Sequence, residues 1–415
     1  MRFEKQRQKY LRTRAVLSPW CLVGTERCDF HAAVVIPALG EAQTLPLVLA
    51  SLAANPAGEL ARTLVVVVVN NRADAPGDVR RDNAETLRWL AGRPLPQLHL
   101  AWVDAATAGR ELPCTEGVGL ARRIGFDAAL QRLNWERQPL LVALDADTLV
   151  EPTYLAAVYG HFATARCAGA VIPFRHQPAA DVPGERAIRA YELYLRSYLF
   201  GLVLAGSPYA YHSIGSAFAC RAQGYIDAGG MNRRLAGEDF YFLQQLQKVG
   251  GVAALRGTRV RPAARCSRRV PFGTGQVLEN DLVRGVRSYR LIDAAAFVVL
   301  QRWLAWVAQH TAVSATEMLS AAGTLAPELA VFLEDYRFHR IWQGIQKNYP
   351  PALRLQAFHR WFDALRTRQL LTRLTPEDGR TSAAIIAELL EQGGYPGVTE
   401  PHGQLQLLEG LQGAA

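Results

Sequence analysis

Two aspartates, Asp145 and Asp147, are the residues of this chain whose types and spacing point most clearly to chemistry. They follow directly on the apolar run of residues 140–144. Side chains at positions i and i+2 of an extended backbone point the same way, so the two carboxylates can converge on one hard cation, or on a cation and a ribose hydroxyl. Mg²⁺ is commonly held by one or two carboxylates together with substrate phosphates. The alternative is structural: Asp147 caps the turn into a helix that begins near Pro152.

A second acidic pair, Glu238-Asp239, opens a predicted helix. The helix macrodipole favours acidic residues in a first turn, which is a sufficient structural explanation. A carboxylate fixed at a helix start can also act as a general base toward a hydroxyl group. Small residues lie upstream in GSAFAC (215–220) and GGM (229–231), where they either let a ligand approach the backbone or form a tight strand edge and a turn.

The elements that must position these side chains are short apolar runs that alternate with helix-like stretches. The runs are continuously apolar, which is typical of strands buried on both faces. The sequence therefore predicts an α/β fold, a parallel sheet with helices on both faces, with ligands at the carboxyl ends of the strands. We predict helices at 118–133 and 152–164, and strands at 32–36, 64–69, 98–103 and 140–144.

In order and spacing, these segments resemble the motifs of family-2 glycosyltransferases of the GT-A fold, with a Rossmann-like sheet. The resemblance covers about residues 32–260 and is carried by VVIPALGE (34–41), VNN (69–71), ARRIG (121–125), DAD (145–147), GGM (229–231) and the Glu238-Asp239 pair. Two positions depart from the family pattern: Leu39-Gly40 replaces the usual Tyr-Asn, and Asn70 stands where an Asp that reads the nucleobase is common.

The resemblance implies a metal-dependent enzyme that moves a sugar from a nucleotide-diphosphate sugar to a hydroxyl acceptor, which is a saccharide, a lipid-linked molecule or a small molecule. Asp239 is then the general base of an inverting transfer, and Glu238 orients the acceptor or the base. Asp147, helped by Asp145, holds Mg²⁺ or Mn²⁺. The implied acceptor-binding residues are Gly229, Gly230 and Met231. The implied nucleotide-sugar-binding residues are Pro37, Ala38, Glu41, Asn70, Arg122, Asp145, Arg268 and Arg269.

We expect three regions: a basic N-terminal extension at 1–30, a GT-A domain at 31–270 and a helical C-terminal region at 271–415. We interpret the extension as a solvated arm, with a phosphate or lipid contact as the alternative. Arg265, Arg268 and Arg269 beside a turn-rich segment predict a lid loop at 265–276 that closes over a diphosphate and excludes water. A solvated basic surface is the alternative for the lid. The last stretch, 393–415, is expected to be loosely ordered.

Composition sets broader limits. The 415 residues carry a net charge of +9, from 46 Lys and Arg against 37 Asp and Glu, which suits a polyanionic partner. No apolar run approaches the roughly 20 residues of a spanning helix. The N-terminus has no secretory pattern, and the six cysteines form no CxxC pair. We therefore expect a cytoplasmic protein with at most peripheral contact to the inner face of a membrane.

Two other function classes remain as alternatives. A sugar-phosphate nucleotidyltransferase would carry a Gly-rich loop with Arg and Lys directly after the first strand, where this chain has PALGE (37–41). A basic nucleic-acid-binding protein would interleave basic residues with exposed aromatics, and we recognise no such motif, so no nucleic-acid partner is expected. A processive synthase is not expected either, because its Gln-x-x-Arg-Trp motif is missing.

Overall fold

A computed structural model describes residues 2–92, 95–267, 273–377 and 379–413. These residues form two units. The first comprises the chain up to Ile188 together with Ser213–Val286, and the second comprises Arg189–His212 together with Arg287–Gly413. The second unit thus takes in a segment from the middle of the expected 31–270 domain, and the first continues past residue 270.

The first unit contains, within its described residues, an eight-stranded sheet and a separate pair of short strands. The strands are β1 (Leu22–Val23), β2 (Ala32–Ala38), β3 (Thr63–Asn70), β4 (His99–Ala105), β5 (Leu140–Ala143), β6 (Leu149–Val150), β7 (Gly169–Val171), β8 (Phe218–Arg221), β9 (Val252–Ala254) and β10 (Val260–Arg261). The sheet order is β1-β4-β3-β2-β5-β8-β7-β9, and β10 pairs with β6.

The strand directions confirm the α/β class but correct the expectation of a wholly parallel sheet. The four predicted strands, β2 to β5, are mutually parallel. However, β1 is antiparallel to β4, and β8 is antiparallel to both β5 and β7. The reason is that a continuous apolar run reports burial on both faces and not the direction of the strand.

Helices cover the sheet closely. Every residue of β2 and β3 is buried, so both faces of these strands are covered. On the helix at Val118–Ala129, a Cβ added at Gly125 would lie 2.3 Å from Cγ1 of Val35, so this glycine allows the helix to approach β2. The helices up to residue 286 are α1 (Arg2–Thr13), α2 (Leu45–Ala53), α3 (Ala57–Leu60), α4 (Gly77–Ala91), α5 (Val118–Ala129), α6 (Tyr154–Thr164), α7 (Val182–Leu204), α8 (Ala222–Asp227), α9 (Glu238–Gly250) and α10 (Thr274–Leu282).

The N-terminal extension is anchored to the first unit, although Lys5, Lys9 and Arg12 are exposed as expected of a solvated arm. Tyr10 of α1 is buried, and its hydroxyl donates to Oδ1 of Asp127 at 2.8 Å. Oδ2 of the same aspartate accepts the backbone N–H of Val16 at 2.8 Å. Because the partner of Tyr10 lies far along the chain, the local run of basic residues gives no sign of this anchor.

The second unit confirms the helical C-terminal region. Trp303 and Trp342 are fully buried in its core. The expected loose order at the C-terminus is wrong, because Leu405 and Leu408 of the last helix are buried. Among the described helices, none combines the length and the apolar character needed to cross a bilayer. The helices are α11 (Ala294–Gln309), α12 (Ala315–Leu325), α13 (Pro327–Asp335), α14 (Phe338–Asn348), α15 (Pro351–Trp361), α16 (Ala364–Leu374), α17 (Ser382–Gln392) and α18 (Pro401–Leu411).

Candidate active site

Arg122 is the centre of a buried ion-pair cluster that joins three of the sequence motifs. It lies on α5, and its guanidinium pairs with Asp145 after β5 and with Glu238 at the start of α9. The side chains of Arg122 and Glu238 are 3% and 4% exposed, and that of Asp145 is 36% exposed. We call Arg122, Asp145 and Glu238 the inner cluster. Because charges are seldom buried unless they are paired, this cluster ties α5, the end of β5 and α9 together.

Gly215 makes room for the inner cluster. A Cβ at this position would lie 2.5 Å from Nη2 of Arg122 and 2.8 Å from its Nη1. Sequence reasoning singled out the segment 215–220 for ligand approach or a tight turn, whereas the structure shows its first glycine against a guanidinium. The sequence shows only a glycine ahead of a buried strand, and this pattern does not reveal that Arg122 lies next to it.

Arg265 forms a second and more exposed cluster with two other motif carboxylates. Its Nε and Nη2 donate to Oδ2 of Asp147 at 3.1 and 2.8 Å, and Nη2 also contacts Oε1 of Glu41. The Arg265 side chain is 35% exposed, Asp147 is 26% exposed and Glu41 is 8% exposed. We call Arg265, Asp147 and Glu41 the outer cluster. It draws together the segments that follow β2, β5 and β10.

The turn that carries Asp147 is held by its own backbone contacts. The backbone carbonyl of Asp145 accepts the N–H of Thr148 at 3.1 Å, and Nε2 of Gln177 donates to the backbone carbonyl of Asp147 at 3.0 Å. Directly after the turn, β6 pairs with β10. Helix α6 begins at Tyr154 with Thr153 as its N-cap residue, so the structural alternative, in which Asp147 caps that helix, is wrong.

Burial and neighbouring charges raise the pKa of two motif aspartates. Burial, together with the charges of Asp145 and Glu41, raises the pKa of Asp147 to about 6, against the opposing effect of Arg265. Burial also raises the pKa of Asp239, as does the charge of Asp145, while Arg122 opposes the rise. Since Asp145 acts on both carboxyl groups, the three aspartates share one electrostatic neighbourhood. A raised proton affinity suits a carboxylate that accepts a proton in a reaction.

Asn70 links the ends of two central strands. Its Nδ2 donates to the carbonyls of Ala38 at 3.2 Å and Val68 at 3.0 Å. The amide N–H groups of this residue, which the resemblance implies in nucleotide-sugar binding, are therefore bonded to the backbone. Pro37 lies near the end of β2, beyond the last pair of the β2–β5 ladder, Val35 with Ala143. A residue without an N–H is tolerated there.

Asn83 of α4 is a site-supporting residue that sequence reasoning missed. It is buried, and its Nδ2 donates to the carbonyl of Asn70 at 3.0 Å and to Oδ1 of Asn71 at 2.8 Å. Its Oδ1 accepts the N–H of Gly40 at 3.0 Å. The available signal was helical spacing, because Asn83 lies on the buried face of α4 with Thr86 and Leu90.

Gly40 explains one departure from the family pattern. Its φ is +64°, in the left-handed region that glycine and asparagine tolerate best. Glycine and asparagine both tolerate this conformation, so the glycine is compatible with the loop after β2.

The expected acceptor-binding residues pack against the N-terminal helix and α5. Gly229 and Gly230 have φ values of +87° and +82°, and a Cβ on Gly230 would lie 2.1 Å from the hydroxyl of Tyr10. Met231 is fully buried, and its carbonyl accepts Nη1 of Arg123 at 2.9 Å. The contacts of these residues thus support the chain that leads to Glu238-Asp239.

Arg268 and Arg269, expected to bind the donor, lie outside the described residues. The flanks of the predicted lid are described: the N–H of Ser267 donates to the carbonyl of Gly275 at 3.0 Å, and Nε2 of His176 lies 3.0 Å from Oγ1 of Thr274. Arg265, the first residue of the predicted lid, belongs to the outer cluster.

The carboxylates fit a hard cation by their chemistry. Across the part of the chain that the structure describes, no group of three or more His, Cys, Asp or Glu side chains is arranged to hold a metal ion. Mg²⁺ and Mn²⁺ prefer oxygen ligands, however, and Mg²⁺ is often bound by one or two carboxylates with substrate phosphates and water. Asp147 and Asp145 supply such oxygens. Burial is the main cause of the raised pKa of Asp147, and the charges of Asp145 and Glu41 add to it, so a nearby cation would favour the ionised carboxylate.

Comparisons with known proteins give structural neighbours alone. No protein-family model and no curated protein matches the chain. Residues 1–349 of S. aureus TarS, solved with UDP-GlcNAc, share 13% identity over 92% of each chain, with a TM-score of 0.40. The mannosyltransferase PcManGT from Pyrobaculum calidifontis, solved with GDP-Man and Mn²⁺, shares 16% identity over 87% of this chain and 94% of its own, with a TM-score of 0.38. GalNAc-T7, solved with UDP, GalNAc and Mn²⁺, shares 16% identity over 58% of this chain and 44% of its own, with a TM-score of 0.35.

Proposed function

We propose that this chain is a metal-dependent, non-processive glycosyltransferase that moves a sugar from a nucleotide-diphosphate sugar to a hydroxyl acceptor. One observation carries the proposal: the carboxylates of separate sequence motifs meet around Arg122 and Arg265, beyond the ends of β2 and β5 and at the start of α9. Ligands of open α/β sheets bind at this edge.

In the proposed reaction, Asp239 accepts the proton of the acceptor hydroxyl. The acceptor oxygen forms a bond to the anomeric carbon as the bond from that carbon to the donor diphosphate breaks, which inverts the configuration. The raised pKa of Asp239 favours proton acceptance. Glu238 is paired with Arg122, so we assign it to holding the start of α9 rather than to contact with the acceptor.

The donor diphosphate needs positive charge. Asp147, with Asp145, would hold Mg²⁺ or Mn²⁺, and a bound metal ion stabilises charge that grows on a leaving group. Arg265 contributes a guanidinium from the chain itself, and guanidinium groups bind phosphates through paired hydrogen bonds. Arg268 and Arg269, which lie outside the described residues, stay predicted donor-binding residues. We place the reaction in the cytoplasm, with the inner face of the membrane as a peripheral site of contact.

The loop after β2 favours this function over nucleotidyl transfer. A phosphate-cradling loop offers backbone N–H groups to its ligand. Here the N–H of Gly40 donates to Oδ1 of Asn83, and the N–H of Ala42 donates to Oδ1 of Asp82, both at 3.0 Å.

A panel of UDP- and GDP-sugars tests the proposal. We expect one donor to raise the melting temperature in the presence of Mn²⁺ or Mg²⁺ and to be hydrolysed slowly without an acceptor. A bound ligand at about 100 times its Kd stabilises a protein by about 2.7 kcal/mol, which a thermal shift detects. The matching nucleoside without phosphates is the control. If no nucleotide sugar shifts the melting temperature or is turned over, the proposal fails.

A further inference from the structure

Arg265 and a divalent cation would compete for one carboxylate oxygen. Oδ2 of Asp147 accepts both Nε and Nη2 of Arg265, at 3.1 and 2.8 Å. The same guanidinium contacts Glu41, so its charge is placed between two carboxylates. A cation on Asp147 would therefore meet a full positive charge within hydrogen-bond distance of the oxygen that binds it. Such a cation binds well only when the guanidinium leaves.

Arg265 is placed so that it can leave. Its side chain is 35% exposed, whereas that of Arg122 in the inner cluster is 3% exposed. It belongs to the segment between β10 and α10 and to no helix or strand. An exposed arginine loses little when it exchanges one ion-pair partner for another, because water compensates for much of the lost pairing.

We propose that Arg265 is a placeholder cation, an inference that rests on the proposed function. In the ligand-free chain it neutralises Asp147 and Glu41. When donor and metal bind, Asp147 would hold the metal in place of Arg265, and the guanidinium would move to the donor diphosphate. The pair that Asp147 loses is thus replaced by a pair with the metal, whereas Glu41 gives up this partner and keeps the hydroxyl of Thr44 as a hydrogen-bond donor. The planar guanidinium matches two phosphate oxygens as well as it matches a carboxylate.

If this exchange occurs, removal of Arg265 changes the affinities for the metal ion and for the donor diphosphate in opposite directions. Without Arg265, a metal ion alone meets no competitor and binds more tightly. The donor diphosphate, in contrast, loses a partner and binds more weakly in the presence of metal. A merely structural arginine would weaken both ligands together, or neither.

Binding of Mn²⁺ alone measures the first half of this prediction. Wild type, Arg265→Gln and Arg265→Lys are each titrated with Mn²⁺, and the electron paramagnetic resonance signal measures the concentration of the free ion. We expect Arg265→Gln to bind Mn²⁺ roughly 10- to 100-fold more tightly than wild type, because the variant removes a positive charge that lies within a few ångströms of the metal position. Arg265→Lys keeps the charge and should stay near wild type.

The matched control is Arg259→Gln. Arg259 pairs with Glu151 at 2.8 Å beside β10, and Glu151 keeps Arg261 as a second partner at 3.2 Å. This variant removes the same charge from the same region without touching Asp147. We expect its Mn²⁺ affinity to equal that of wild type.

The second half uses UDP and GDP, each titrated with Mn²⁺ present. Wild type is expected to prefer one of the two diphosphates. Arg265→Gln should bind that diphosphate with lower affinity than wild type. If Mn²⁺ affinity is unchanged or lower in Arg265→Gln while wild type still binds UDP or GDP, the placeholder role is refuted and the proposed function stands. If Mn²⁺ affinity rises but neither diphosphate binds any variant, the competition is real and the proposed function fails. If no variant binds Mn²⁺, both fail.

Discussion

The inner and outer clusters are built alike, with one arginine between two carboxylates, but they differ in burial. In the inner cluster, Arg122 and Glu238 are almost fully buried and Asp145 is 36% exposed. In the outer cluster, the arginine itself is 35% exposed and only Glu41 is buried, so the two clusters differ mainly in the burial of their arginines. Removing one partner from a buried pair leaves an uncompensated charge, whereas exposed pairs contribute little to stability. The comparison teaches that the same pairing can fix a framework in one place and leave charges free to change partners in another.

The largest effect is expected at Asp239, which the inner cluster holds next to Glu238. Asp239→Asn keeps the size of the side chain but cannot accept a proton, so transfer should fall by about 10²–10⁴-fold in a steady-state assay with the preferred donor. Donor affinity should barely change, because the base faces the acceptor. Asp74→Asn is the control, since Asp74 pairs with Arg72 at an exposed position. Near-normal transfer by a folded Asp239→Asn protein would reduce Asp239 to a helix-start residue.

Removal of each central arginine tests the difference in burial directly. We expect Arg122→Ala to lower the free energy of unfolding by about 3–5 kcal/mol, because Glu238 would stay buried without its partner. Arg265→Ala should lower it by less, about 1–3 kcal/mol, because Asp147 is partly exposed, although Glu41 would stay buried without this partner. Urea denaturation followed by circular dichroism measures both. Equal losses in the two variants would contradict the division into a framework and an exchangeable cluster.

A smaller effect should follow from crowding the inner cluster without removing a charge. In Gly215→Ala, the new methyl would lie 2.5 Å from Nη2 of Arg122, so we expect a loss of about 1–3 kcal/mol in the free energy of unfolding. Gly160→Ala on α6 is the matched control, since a Cβ there meets nothing within 4 Å. That control should stabilise the protein by about 0.5–1 kcal/mol. A neutral Gly215→Ala would show that Arg122 can relax.

Sequence reasoning located the parts of the site that follow one another along a strand and a turn. The apolar runs predicted β2 to β5, and the position of Asp145 and Asp147 after β5 follows from the sequence alone. The direction of β8 and the pairing of β1 escaped it, because apolar runs carry no direction.

The contacts between distant segments could not be read from local patterns. Arg122 is separated from Glu238, and Arg265 from Glu41, by long stretches of chain, and an acidic first turn or a basic run looks the same whether it is solvated or paired. Tyr10 shows the same limit: it lies in a basic segment that looks solvated, yet it reaches buried Asp127. The hydrogen bond between Gly40 and Asn83 fixes the loop after β2, and the roles of these two residues become visible only once the conformation of that loop is known.

Binding of the preferred UDP- or GDP-sugar with Mn²⁺ and with EDTA, to wild type and to Asp147→Ala, is the most direct test of a metal-assisted donor site. We expect wild type to bind the donor much more tightly with Mn²⁺ than with EDTA. We expect Asp147→Ala to lose that difference while it keeps the weaker metal-independent affinity. Equal donor affinity of wild type with Mn²⁺ and with EDTA would contradict the assignment of Asp147 as a metal ligand and, with it, the metal-dependent transfer.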